Sequence, residues 1–188
     1  MPLHWKAWQT VSQRYKLHFP EDRFYALGGV PSRDIFKMLG EEQSVELDHL
    51  EAAREKEETY LPFLPQVQPI ECVLRFAREH HQRIPCAVAS GGTRKVIEEV
   101  LQHLGIRHFF QAVVTSEDVH YQKPAPDIFL EAARRIGVEP QFCRGFEDTD
   151  LGMKALIAAG MEAIDVRPLI EEARKLGACR SDDAAGCN

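Results

Sequence analysis

From residue 70 onward the chain alternates short apolar runs with segments of helical period. Ile84–Ala89, Gln111–Thr115, Phe142–Phe146 and Met161–Val166 read as strands. Helices are expected over 70–81, 93–104, 126–136, 149–159 and 168–176. In 93–104 the apolar set is Val96, Ile97, Val100, Leu101 and Leu104; in 126–136 it is Ile128, Phe129, Ala132, Ala133 and Ile136. Gly105 and Gly137 stand where each helix should stop. Strands alternating with helices at this spacing build βαβ units and a parallel sheet. The near-continuous apolar character of the strands suits a sheet covered on both faces. The expectation is an α/β fold with a doubly wound, Rossmann-like parallel sheet.

Residues 1–61 have a different texture and show no strand pattern. Helices are expected over 2–17, 21–27, from Pro31-Ser32-Arg33 onward, and over 46–60. Pro62, Pro65 and Pro69 then punctuate the chain, so the division falls there. That gives a helical unit at 1–66 and an α/β unit at 67–188, with a polar tail, expected to fray, from about residue 178.

Composition narrows the class of partner. With 23 basic and 29 acidic residues the net charge is −6, which argues against nucleic acid. No run approaches the ~18–20 apolar residues of a membrane helix. No apolar leader stands at the front, so a cytoplasmic location is expected. The expected form is a monomer. Cys72, Cys86, Cys143, Cys179 and Cys187 are widely spaced and read as reduced thiols.

In an open parallel sheet, ligands bind beyond the carboxyl ends of the strands. After the first strand comes Ser90-Gly91-Gly92-Thr93, directly before a helix. This is either an ordinary capped helix start or an anion cradle of hydroxyl and amides. After the second strand Lys123 precedes Pro124; it is either a solvated lysine or a fixed cation beside an anion. After the third come Glu147-Asp148-Thr149-Asp150. These carboxylates either favour the helix start or offer hard oxygen ligands to Mg²⁺. Their coincidence at one sheet edge is the equipment for Mg²⁺-assisted phosphoryl transfer. There is no Gly-x-Gly-x-x-Gly, no Walker A, no nucleophile elbow around Ser90, and no zinc spacing; His80-His81 are adjacent on a helix.

The order Ser90, Lys123-Pro124-Ala125-Pro126-Asp127, Phe146–Gly152 and Ala159-Gly160-Met161 resembles the haloacid dehalogenase superfamily. It is most similar to the β-phosphoglucomutase-like branch, which includes fructose-1-phosphatase-type enzymes, over residues 1 to about 167. The resemblance implies an N-terminal helical cap on the α/β core. It implies that Ser90 and the Gly91 amide bind phosphate and that Lys123 neutralises it. Asp148 would bind Mg²⁺, with Glu147 as ligand or behind it. His4 would lie by the cap hinge, and Arg33 on a substrate-facing loop after Gly29-Val30. Asp150 falls outside the strict motif, and Arg144 stands where the family is usually apolar.

One motif is not in these 188 residues. The family's nucleophile and acid/base are the aspartates of Asp-x-Asp-Gly-Thr, ending the first, central strand; the motif occurs nowhere in the chain. The resemblance therefore implies a first core strand absent from this chain, and a form that is poorly stable and inactive. A late-assigned start is the first explanation and a shortened gene the second. The leading expectation is a Mg²⁺-dependent phosphatase of small sugar phosphates working through an aspartyl-phosphate. The alternatives are a non-catalytic relative that binds phosphate or a partner, a phosphosugar mutase, and a plain doubly wound binding domain.

Overall fold

The computed structural model describes residues 1–172. The last expected helix begins within that range and extends outside it; the tail from about 178, with Cys179 and Cys187, lies outside the described residues.

Four helices come first: α1 Pro2–Arg14, α2 Glu21–Ala26, α3 Ser32–Gln43 and α4 His49–Tyr60. Proline in the first turn of α1 costs no hydrogen bond, because that N–H has no partner in a helix. Its buried positions Trp8 and Val11 face Phe36 and Leu39 of α3, all at 2% exposure or less. Trp8 stacks on Phe36 at 4.3 Å and meets Phe19 edge-on at 5.0 Å. The Asp48 carboxylate caps α4, accepting from the Leu50 and Glu51 N–H groups. The proline-rich segment is a 3₁₀ turn, Leu61–Gln66, running on directly from α4. It packs beside Ala7, Tyr60 and Val96, so the chain turns a filled corner there.

The α/β part follows as α5 Glu71–His80, β1 Ala87–Ala89, α6 Arg94–His103, β2 Ala112–Val114, α7 Asp127–Ile136, β3 Arg144–Glu147, α8 Asp150–Ala158 and β4 Glu162–Asp165. The strands form two parallel pairs. β1 lies on β2, Ala87 opposite Ala112 through Ala89 opposite Val114. β3 lies on β4, Arg144 opposite Glu162 through Glu147 opposite Asp165. No ladder joins the two pairs. A core of Val114, Ile128, Phe129, Ala132, Ala155 and Leu156 ties α7 and α8 to the strands. On the other face Phe76 of α5 packs on Phe146 at 5.0 Å.

The strands are shorter than the apolar runs suggest. Residues 84–86 stay outside β1. Phe142, expected to open the third strand, sits in a 3₁₀ turn started by Pro140 and is 77% exposed; β3 begins instead at Arg144. Arg144 is accommodated because its guanidinium pairs across the ladder with Glu162 at 2.7 Å.

Between the pairs lies a cleft of about 720 Å³. Ala87–Ala89 form one wall and Arg144–Glu147 the other, with Phe76, Phe129 and Leu156 among the helical side chains lining it. No helix among the described residues is long and apolar enough to cross a membrane.

Candidate functional site

The carboxyl ends of β1, β2 and β3 open toward the loop that joins α2 to α3. At the end of β3 the Glu147 carboxylate is buried and fully engaged. One oxygen, Oε2, takes the Lys123 ammonium at 2.7 Å. The other, Oε1, accepts from the Asp148 N–H at 3.1 Å, the Thr149 N–H at 3.0 Å and the Thr149 hydroxyl at 2.7 Å. Burial pushes this carboxyl up, but the Lys123 charge and these hydrogen bonds outweigh it and hold Glu147 below the usual range. Lys123 is itself buried, with its ammonium 4.8 Å from the centre of the Phe129 ring. It is a fixed cation and not the solvated lysine that its sequence position also allowed.

The loop carrying Lys123 is clamped at its base. Asp118 accepts from the Thr115 N–H at 2.7 Å and hydroxyl at 2.9 Å, from Arg135 at 2.7 Å and from Arg94 at 2.5 Å. Burial works against the charge, yet Arg135 and the two Thr115 hydrogen bonds bring the Asp118 carboxyl down to about 2.

After β1, the Ser90 N–H still pairs with β2, donating to the Val114 carbonyl at 2.9 Å. The Ser90 hydroxyl accepts from the Gly92 N–H at 3.2 Å, leaving its own proton to donate. No protein acceptor among the described residues takes the Gly91 N–H. A Cβ on Gly91 would run into the Gly29 carbonyl. Gly29 has φ +96°, and a Cβ there would meet the Lys123 stem at 3.2 Å. One glycine of the helical part therefore touches both Gly91 and Lys123, placing Ser90, Gly91 and Lys123 around one small volume. Arg33 reaches the same rim, donating to the Ser116 carbonyl at 3.4 Å.

Asp148 faces differently from Glu147. No side-chain cation pairs with it among the described residues. Burial, and then the adjacent Glu147 charge, raise its carboxyl above the usual value, with the Met1 amino group pulling the other way. Asp150 turns outward to Arg167 at 2.6 Å, and Thr149 takes the capping role on α8, accepting from the Gly152 N–H. Of the three clustered carboxylates, one holds a lysine, one is exposed, and Asp148 retains free oxygens. No group of three His, Cys, Asp or Glu among the described residues could enclose a metal. Asp148 alone still suits Mg²⁺, which keeps waters and substrate oxygens around one or two carboxylates.

His4 sits in the helical part. Its ring stacks on Tyr60 at 3.8 Å, and its Nδ1 lies 3.2 Å from the Lys56 ammonium. Burial, and then the Lys56 charge, hold His4 well below its ordinary value, so it is neutral at pH 7 and accepts from Lys56. No hydrogen bond joins His4 to Ser90, Lys123 or Glu147. The link is indirect: beside Lys56, Glu57 accepts from Thr93 at the start of α6 at 2.6 Å.

Lys56 was not singled out in the sequence, where it sits in a charged run. Burial lowers it to about 8. The available signal was its spacing: Ala52, Ala53, Lys56 and Tyr60 form the buried stripe of α4.

Comparison with known proteins gives a consistent picture. A family model described as haloacid dehalogenase-like hydrolase matches residues 1–166. The chain is 42% identical over 169 residues to a fructose-1-phosphate phosphatase of Escherichia coli, covering 89% of each protein. It is 29% identical over 168 residues to a phosphorylated carbohydrates phosphatase of Thermotoga maritima, covering 87% of this chain and 76% of that one. A β-phosphoglucomutase structure from Clostridium difficile superposes with a TM-score of 0.75 at 24% identity, over 87% of this chain and 76% of that one.

Proposed function

Because the chain belongs to the haloacid dehalogenase-like hydrolases, we propose that its site serves hydrolysis of phosphate monoesters of small sugars. The single observation that carries this is the buried Lys123–Glu147 pair beneath the Ser90–Gly91 turn. A cation held at that depth, beside an unengaged N–H and a hydroxyl at a helix start, matches a phosphoryl group in charge and in donors. The phosphatases named above support the substrate class.

In this reading the Ser90 hydroxyl and the Gly91 N–H donate to phosphate oxygens. Lys123 neutralises the same group, and Glu147 holds Lys123 at its angle. Asp148 is the ligand for Mg²⁺, with Glu147 behind it because its oxygens are already taken. A bound Mg²⁺ would neutralise charge developing on the phosphoryl group. Residues 1–66 act as a cap that shields the substrate from water, with Gly29 and Arg33 at its rim and His4 at the hinge. The protein works as a cytoplasmic monomer on a small phosphorylated substrate.

None of the 188 residues lies in an Asp-x-Asp-Gly-Thr setting, so the attacking carboxylate is not among them. In this reading these 188 residues by themselves bind phosphate without turning it over. The same observation favours the second reading, a non-catalytic phosphate binder.

Calorimetric titration with inorganic phosphate and Mg²⁺ tests the site. Binding to the 188-residue chain that weakens at least about tenfold in Ser90→Ala, about 1.4 kcal/mol, is expected for loss of a charge-assisted hydrogen bond. Unchanged affinity in Ser90→Ala contradicts the cradle. Robust hydrolysis of a sugar-phosphate panel by these 188 residues alone would mean that another nucleophile exists.

A further inference from the structure

The groups that would meet a phosphate come from two separate turns. Ser90 and Gly91 follow β1, whereas Lys123 follows β2, with residues 115–122 between that strand and the lysine. An anion held by both turns needs their separation fixed to within about 0.5 Å. The intervening loop provides that constraint from its own side chains. Thr115 and Ser116 are buried, both at 2% exposure or less. The Ser116 N–H and hydroxyl both donate to the Gly92 carbonyl, each at 3.2 Å, and so tie the loop to the turn that carries Ser90 and Gly91. Gln122, the residue before Lys123, donates to the Ser116 carbonyl at 3.0 Å and to the Val119 carbonyl at 3.3 Å. Both ends of the loop therefore return to one anchor.

The loop is fastened to the neighbouring helices through one carboxylate. Carbonyls alternate in direction along β2, so Val114 faces β1, where it accepts from Ser90, and Val113 faces outward. Arg94, the first residue of α6, and Arg135, in the last turn of α7, both donate to that outward carbonyl, at 3.3 and 3.2 Å. Each then reaches Asp118 with its other terminal nitrogen, Arg94 at Oδ2 and Arg135 at Oδ1. Oδ2 also takes the Thr115 N–H and hydroxyl. Asp118 thus joins the helix that begins at the Ser90–Gly91 turn, the helix that follows Lys123, and the base of the loop between them. Among the described residues no hydrogen bond joins Asp118 to Ser90, Gly91 or Lys123 themselves.

We propose that Asp118 is a positioning residue: clasped by Arg94 and Arg135, it sets the separation between the Ser90–Gly91 turn and the Lys123 ammonium, and through it the affinity of the site for a phosphoryl group. The effect on phosphate rests on the function proposed above; the hold on Lys123 does not. Asp118→Asn keeps the side-chain shape and an acceptor for Thr115, but leaves two guanidinium groups facing a neutral amide. Without the charge the loop loses its tie to α6 and α7, and Lys123 is no longer held at one distance from Gly91. A brace that only added stability would lower the unfolding midpoint and leave the folded site unchanged.

The test uses the full 188-residue chain and two readouts. Acetylation by an activated ester at neutral pH, read by peptide mass mapping, compares buried Lys123 with exposed Lys37 on α3. Calorimetric titration with inorganic phosphate in the presence of Mg²⁺ reads the anion site. Both are carried out well below the unfolding transition of every variant. Asp48→Ala, which weakens the start of α4 and touches neither the loop nor the turn, is the control for lost stability alone.

Asp118→Asn is expected to speed acetylation of Lys123 at least about tenfold relative to Lys37, and to weaken phosphate binding about fivefold to tenfold. Asp48→Ala should do neither. Should Asp118→Asn not fold, Arg94→Met opens one arm of the clasp and leaves Arg135; both changes are then expected at about threefold. Lys123 as slow to react in the variant as in the parent overturns the proposal. So does equal exposure of Lys123 in Asp48→Ala, which would make overall stability the cause. Exposed Lys123 with phosphate bound as tightly as by the parent also overturns it, since the position of the lysine would then not matter to the anion. If the parent binds no phosphate and Asp118→Asn still exposes Lys123, the hold of Asp118 on the lysine stands and the phosphate reading of the site falls.

Discussion

The helical part and the α/β part meet the same requirement in opposite ways. A helix satisfies its interior backbone within itself, so α1, α3 and α4 need only bury their apolar stripes. They do so around Trp8, Phe36 and Leu39, which water does not reach. A strand satisfies only half of its backbone through one neighbour. Among the described residues β1 and β3 each pair with one strand, and they turn their other edges to an apolar cleft. Local hydrogen bonding makes a unit self-sufficient, whereas lateral hydrogen bonding makes it depend on what lies alongside. The candidate site sits where the two parts touch, at Gly29 and Gly91.

Equal truncations on the two sides should cost unequal amounts. Phe36→Ala removes a ring from the closed core and should lower stability by about 3–5 kcal/mol. Phe146→Ala, on the cleft wall, should cost about 1–2 kcal/mol because its surroundings are already part void. Urea unfolding followed by circular dichroism checks both, and equal costs would erase the contrast.

Buried charge sharpens it. Lys123→Met leaves the Glu147 carboxylate buried without its cation and should cost about 3 kcal/mol. The pH dependence carries the sign. A carboxyl held low in the folded state stabilises fully above its unfolded value, here 4.5, and loses that contribution as pH falls below it. Thermal melts from pH 7 down to pH 3 should fall steeply for the parent and less for Lys123→Met.

In the helical part the expected sign reverses. Lys56 is buried beside neutral His4, with no carboxylate among the described residues at hydrogen-bond distance. Lys56→Met should raise stability by about 2 kcal/mol, since an apolar isostere avoids desolvating a charge. Burial lowers Lys56 from 10.5 to about 8, so the unfolded chain binds the proton more tightly. The parent should therefore gain stability as pH rises from 8 to 10.5, and Lys56→Met should lack that gain in chemical melts at matched pH. The smallest effect is at a cap. Asp48→Ala removes the acceptor for two N–H groups of α4 and should cost about 1 kcal/mol in the same assay.

Much of this was legible because period reports burial. The i, i+3, i+4 spacing of Val96, Ile97, Val100 and Leu101 placed α6 to within a residue at each end. Phe142 misled because apolar character marks burial only where the backbone can extend, and Pro140 starts a turn there. The site residues were legible as a set at one sheet edge. Their division of labour was not, since it depends on which carboxylate points where. Glu147 turns to Lys123, Asp150 turns to Arg167, and Asp148 is left with free oxygens. A chain position does not encode that choice; it depends on the partners each carboxylate meets in space, Lys123 and Thr149 for Glu147 and Arg167 for Asp150.

Native-state amide exchange, read residue by residue by NMR, addresses the split sheet at its source. The Ala89 and Phe146 amides should exchange within about tenfold of unstructured rates, because no strand among the described residues takes them. The Ser90 amide, bonded to Val114, and the Val166 amide, bonded to Glu147, should be protected, as should those inside α3. Protection of Ala89 and Phe146 equal to that of Ser90 and Val166 would mean that both edges are already paired, and that the cleft between β1 and β3 does not exist in solution.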